Sequence, residues 1–121
     1  MVKLYETSPV GAGLPLDIGT VSVREVQTPM HLLAPYRGQA VQAAAAFNTQ
    51  MGLEWPGPNE LKRKGEVYAC WFDHAHIAVM GATPSSRLTR HAAVRDVGDG
   101  WTVLELNGAD VRAVLSRLTP L

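Results

Sequence analysis

The sequence predicts an α+β fold in which β-hairpins and two main helices lie on an antiparallel sheet. Three observations predict it. Short β-rich runs bounded by turn residues recur along the chain, as in Val67–Phe72 and His76–Met80. An alanine-rich segment, Gly38–Met51, carries apolar residues at helical spacing. Val111, Val114, Leu115 and Leu118 then follow at i, i+3, i+4 and i+7, the signature of an amphipathic helix.

Taken in order, residues 1–18 hold Pro9, Gly11, Gly13 and Pro15 among scattered apolar side chains and read as an extended arm. Val2, Leu4, Tyr5, Val10, Leu14, Leu16 and Ile18 make it too apolar for a free tail, so it is expected to lie against something, another chain included. The remainder, 19–121, reads as a single α+β domain, since a chain of 121 residues needs no second core. Thr20–Val26 and Met30–Tyr36 flank Gln27, Thr28 and Pro29 and read as a hairpin. In the helix Gly38–Met51, Ala40, Ala44, Phe47 and Met51 form the expected buried face, with Gly52 placed to end it.

Leu53–Gly65 reads as the longest loop, thick with Trp55, Pro56, Gly57, Pro58 and Asn59 and closed by Lys62, Arg63 and Lys64. It is a candidate binding loop; the plainer reading makes Trp55 a plug over the core. Val67–Phe72 and His76–Met80 form a hairpin through Asp73, His74 and Ala75, apolar enough to be central and covered on both faces. Thr83–His91 is polar, with one helical turn opened by Thr83 ahead of Pro84. Val94, Val97, Trp101, Val103 and Leu104 lie in two β-rich runs around Gly98-Asp99-Gly100, which reads as a hairpin. Alternation sets Thr102, Leu104 and Leu106 on one face and Trp101, Val103 and Glu105 on the other. Asn107 is the expected N-cap of the last helix, Asp110 suits its positive end, Val111 to Leu118 form a buried stripe, and Pro120 stops it. The alternation of hairpins and helices points to a ferredoxin-like or split-sheet architecture.

Composition narrows the function classes. Eleven basic residues balance eleven acidic ones, leaving no net field to draw in nucleic acid or an anionic membrane. No apolar run approaches the ~20 residues of a membrane span, and the N-terminus lacks a secretory signature. One cysteine, Cys70, excludes an internal disulfide, and the chain reads as cytoplasmic. Asp73, His74, His76 and Cys70 are the one cluster that invites a metal or nucleophilic reading, but Asp and His in a turn are ordinary turn residues. Cys70 lies between Ala69 and Trp71 in an apolar strand, the setting of a buried structural thiol. There is no phosphate loop, no Gly-x-Gly-x-x-Gly, no Gly-x-Ser-x-Gly and no His-Glu-x-x-His. Trp55, Trp71 and Trp101 suit stacking on a flat ligand, although tryptophan in a strand is mostly core. No catalytic, cofactor-binding or metal residue is therefore assigned from the residues alone.

The run from Val94 to Leu115, VRDVGDGWTVLELNGADVRAVL, with the ending Thr119-Pro120-Leu121, resembles the gamma subunit family of heterotetrameric sarcosine oxidase. More weakly it is similar to the folate-binding domain of glycine-cleavage T-proteins. The resemblance implies a partial T-protein-like fold and a non-catalytic subunit that packs against the alpha subunit of a flavoenzyme demethylating sarcosine. It implies no cofactor in this chain. FAD belongs to the beta subunit, FMN to the alpha/beta boundary, NAD and tetrahydrofolate to alpha, and zinc to delta. Phe72-Asp73-His74-Ala75-His76 stands where the family has a Gly-Pro-Asp-Glu-Trp type of turn, and Thr119 stands where cysteine is usual. Similar proteins continue beyond the position of Leu121 with a further strand-rich segment, so the resemblance implies either a shortened member or a fragment of a longer one. Trp55, Val111, Val114, Leu115 and Leu118 are the expected interface residues, facing alpha, with beta and delta in the same complex, or a second copy of the chain. The alternative reading is a stand-alone module that binds folate or a small aromatic ligand through Trp55 and its Pro-rich loop.

Overall fold

A computed structural model describes residues 1–119 and has the predicted α+β class, with antiparallel sheets and two α-helices. The strands are β1 (Leu16–Ile18), β2 (Val21–Val26), β3 (Met30–Pro35), β4 (Leu61–Lys64), β5 (Val67–Trp71), β6 (Ile77–Met80), β7 (Ala92–Asp96) and β8 (Val103–Asn107). The helices are α1 (Ala40–Met51) and α2 (Val111–Leu118). A central unit spans Thr28–Trp101, and a terminal unit combines Met1–Gln27 with the chain from Thr102 onward.

The central unit is a five-stranded antiparallel sheet in the order β4-β5-β6-β3-β7. Its middle strand β6 buries Ile77, Ala78 and Val79 in succession, as expected of a strand covered on both faces. β5 and β6 are the predicted hairpin, paired from Tyr68 with Met80 to Trp71 with Ile77. The register sets Leu33, Ala69, Ile77 and Val79 on one sheet face, where Phe47, Leu53 and Leu88 complete the core. The buried face of α1 is Ala43 and Phe47, with Ala44 and Met51 half-buried and Ala40 exposed, a rotation of the expected face about the same Phe47. Gly52 ends α1 with φ 65° and returns its amide to the Asn48 carbonyl at 2.8 Å. The expected Thr83 turn forms two residues later: a 3-10 turn at Ser86–Arg90, opened by Ser85, whose hydroxyl accepts the Arg87 amide.

The terminal unit is a three-stranded antiparallel sheet in the order β1-β2-β8. Register sets Leu16, Ile18, Val21, Val23, Leu104 and Leu106 on one face, and Asp17, Ser22, Arg24 and Glu105 on the other. Arg24 and Glu105 are ion-paired there at 2.7 Å. The arm is fixed at Ser8, whose hydroxyl donates to Glu25 at 2.6 Å, while Met1, Val2, Leu4 and Tyr5 remain exposed.

Several local expectations are overturned. Thr20–Val26 and Met30–Tyr36 are not a hairpin: β2 pairs with β1 and β8, and β3 with β6 and β7. Nor do the runs around Gly98-Asp99-Gly100 pair with each other, because β7 ladders onto β3 and β8 onto β2. Lys62, Arg63 and Lys64 do not close a loop; they form edge strand β4 against β5. Asn107 is no helix cap. It pairs with Ser22 at the end of β8, and Asp110 takes the cap position, its carboxylate accepting from Thr20 Oγ1 at 2.6 Å. Pro120 lies outside the described residues; α2 already ends at Thr119, whose extended backbone donates its amide to Leu115 O at 2.9 Å.

Candidate functional site

The Trp55 loop is held by its own polar residues. Glu60 accepts the Gly57 amide at 2.9 Å, and the Glu60 amide returns to the Gly57 carbonyl at 3.0 Å. The Gly57 amide and then Lys62 hold the Glu60 carboxyl below its usual range. Lys62 lies 3.3 Å from Glu60 and 3.4 Å from Glu54. Leu53 and Pro56 are buried, so the loop is anchored at two apolar points. Trp55 meets Phe47 edge to face, with ring centroids 5.5 Å apart. The plug reading of Trp55 therefore holds for the side of the indole against the core.

The β5–β6 turn is organised by Asp73. One carboxylate oxygen accepts the amides of Ala75 at 2.7 Å and His76 at 2.8 Å, and both oxygens lie within 3.0 Å of His76 Nδ1. The Ala75 amide and then the His76 ring hold the Asp73 carboxyl below the ordinary carboxylate range. An ionised carboxylate only accepts, so Nδ1 carries a proton, and Nε2 is an acceptor when the ring is uncharged.

Loop and turn face each other across a cleft of about 410 Å³. Trp55, Pro56 and Pro58 line one side, Trp71 and Asp73–Ile77 the other, with Pro35 and Ala40 completing it. The structure thus brings together two regions that the sequence singled out separately, the Trp55 loop and the Asp73-His74-His76 turn. It does not bring Cys70 to them. Cys70 neighbours Trp71 on a strand and so faces the other side of the sheet, where burial pushes its thiol pKa up. No group of three metal-ligating side chains occurs among the described residues. Trp71 is the cleft residue that sequence reasoning assigned to the core; its place at the end of β5, next to the turn, was the available signal.

The other interface candidates lie in the terminal unit. None of α2 is buried: Val111 and Val114 are half-buried, and Leu115 and Leu118 are exposed. The expected buried stripe is thus an open one on a helix of eight residues. Leu16, Ile18 and Leu104, on the apolar face of the three-stranded sheet, are also exposed. The β8–α2 junction itself is tightly built. Gly108, at φ 146°, lies where a Cβ would collide with the Thr20 carbonyl, which accounts for the glycine after Asn107.

No described helix is long and apolar enough to cross a membrane. The chain matches no protein-family model, and no curated protein sequence matches it. Among solved structures it is similar to a chain of heterotetrameric sarcosine oxidase from Corynebacterium sp. U-96, determined in complex with pyrrole 2-carboxylate. The TM-score is 0.64 at 21% identity, over 84% of this chain and 56% of that one. This chain therefore spans little more than half the length of the chain it matches, and what the two demonstrably share is the fold.

Proposed function

We propose that this protein is a non-catalytic, gamma-like subunit of a cytoplasmic sarcosine-oxidase-type flavoenzyme, and that it scaffolds the alpha subunit during oxidative demethylation of sarcosine. FAD, FMN, NAD and tetrahydrofolate then belong to the partner subunits. The observation that carries this reading is the shared fold with a chain of a heterotetrameric sarcosine oxidase over most of this chain's length. The passage Val94–Leu115, which resembles the gamma family, adds to it. So do the apolar side chains that the terminal unit leaves open at Leu16, Ile18, Leu104, Leu115 and Leu118, since exposed apolar surface of this kind marks assembly sites.

Co-expression with candidate alpha, beta and delta chains tests the proposal. The expected result is a yellow complex that contains this chain in stoichiometric amount. Elution of the chain alone, beside a yellow complex assembled without it, overturns it.

A further inference from the structure

We propose that the cleft between the Trp55 loop and the Asp73–His76 turn is a binding site for a small, uncharged, planar heteroaromatic molecule, whose ring N–H donates to Nε2 of His76. The inference does not rest on the subunit reading; it develops the small-aromatic-ligand alternative from the cleft's own chemistry.

Size comes first. About 410 Å³ falls within the roughly 300–1,000 Å³ of small-molecule sites and suits one or two fused rings. The walls come next. Trp55 and Trp71 enter from separate segments, and Pro35, Pro56, Pro58 and Ile77 add rigid or apolar surface. Such walls favour a flat apolar body. Trp55 is already fixed against Phe47, and its loop is fixed by Glu60 and Lys62, so little ordering remains to oppose binding.

Charge then selects among flat ligands. Neither lysine nor arginine lines the cleft, whereas the ionised Asp73 does. Anionic rings are disfavoured by that balance. Asp73 Oδ1 is taken up by two amides and the His76 ring, and Oδ2 shares that ring N–H. His76 lines the cleft, and also a smaller hollow beside Leu32, Ala34, Ala93 and Arg95; among the described residues nothing bonds its Nε2. A ligand N–H is the complement of that atom.

Benzimidazole, added to the full-length chain at pH 8, tests the proposal against 1-methylbenzimidazole, which has the same rings and no N–H. Indole N–H resonances in a nitrogen-15 correlation spectrum report the site. The Trp55 and Trp71 signals should shift saturably with benzimidazole. The Trp101 signal should not, because that ring lies against Phe72 and is no part of the cleft lining. The methylated probe should bind about fivefold more weakly, the worth of one hydrogen bond. His76→Phe should bring the two probes to equal affinity, and Trp55→Leu should weaken both. Equal affinities for the two probes in the unaltered chain overturn the proposal, as does a lack of saturable shifts at Trp55 and Trp71 up to the solubility limit. Both comparisons use the unaltered protein, so they stand even where a variant fails to fold. The subunit reading is decided separately by co-elution.

Discussion

In the central unit Leu33, Phe47, Ala69, Val79 and Leu88 are all 0% exposed, and a helix covers the sheet face on which they meet. In the terminal unit Val21 and Val23 are buried, but Leu16 keeps 47%, Ile18 43%, Leu104 43% and Leu118 66% of their surface. Both units use the same alternation of apolar and polar residues on antiparallel strands. The helices differ: α1, of twelve residues, buries Ala43 and Phe47, whereas α2, of eight, buries none. A small sheet with a two-turn helix has little with which to enclose a core, and apolar side chains of the terminal unit stay open.

The comparison breaks most readily at Phe47. Phe47→Ala removes the side chain that joins α1, the core and Trp55, and urea unfolding should show a loss of about 3–5 kcal/mol. A loss below about 1 kcal/mol would mean that the central unit is not the packed body described above.

A pair of glycines sharpens the comparison at the next level. In the central unit Gly81, at φ 87°, sits where a Cβ would strike the Glu66 carbonyl; in the terminal unit Gly108 stands in the same relation to Thr20. Alanine at either position should cost more than about 1 kcal/mol, since both the backbone conformation and the space are wrong for it. Heat-capacity scans of the two variants show whether the units unfold together. A single shared transition lowered by both variants indicates one cooperative body; two transitions, each lowered by one variant, indicate two.

These glycines also show where the fold was legible in the sequence. The β5–β6 hairpin and α1 were readable because their signals are local: apolar runs around Asp73-His74-Ala75, and an alanine run closed by Gly52. The two failed hairpins fall at the two places where the chain passes between units, after Gln27 and after Trp101. Gln27-Thr28-Pro29 and Gly98-Asp99-Gly100 both have turn chemistry, and the second forms a 3-10 turn. Turn chemistry does not decide whether the flanking strands pair with each other or with distant ones. That choice is made by non-local ladders such as Met30 with Met80 and Val23 with Leu106. For the same reason the cleft was legible only in halves: Trp55 and His76 were each noticed, but their meeting depends on long-range packing.

A smaller effect separates the units by pH. Backbone amides and a neighbouring cation or imidazole hold Asp73 and Glu60 below their ordinary values in the central unit, whereas Glu105 is lowered chiefly by Arg24 in the terminal unit. Each of these carboxylates binds its proton more weakly folded than unfolded. Their contribution is therefore complete above the usual carboxylate range and is lost as pH falls through it toward the depressed folded values. Asp73→Asn should flatten the acid limb of the stability profile measured between pH 6 and 3. Adding salt should shrink the Glu105 contribution more than that of Asp73, because an exposed ion pair is screened while bonds to backbone amides persist.

The smallest effect on the isolated chain carries the most meaning for assembly. Leu118→Ser alters a side chain that is already 66% exposed, so stability should stay within about 0.5 kcal/mol of the original in urea unfolding. If the open stripe of α2 is where a partner subunit packs, the same substitution should weaken retention of the chain in a co-expressed complex by tenfold or more, the ~1.4 kcal/mol that a well-buried leucine supplies at an interface. Stability lost in the isolated chain would instead place Leu118 inside a fold that already covers it. Unchanged stability with unchanged retention would move the docking surface to the face of Leu16, Ile18 and Leu104. Since an alternating strand pattern and an amphipathic helix arise equally from a closed core and from a face that awaits one, only a substitution that leaves folding intact while loosening the complex tells the two apart.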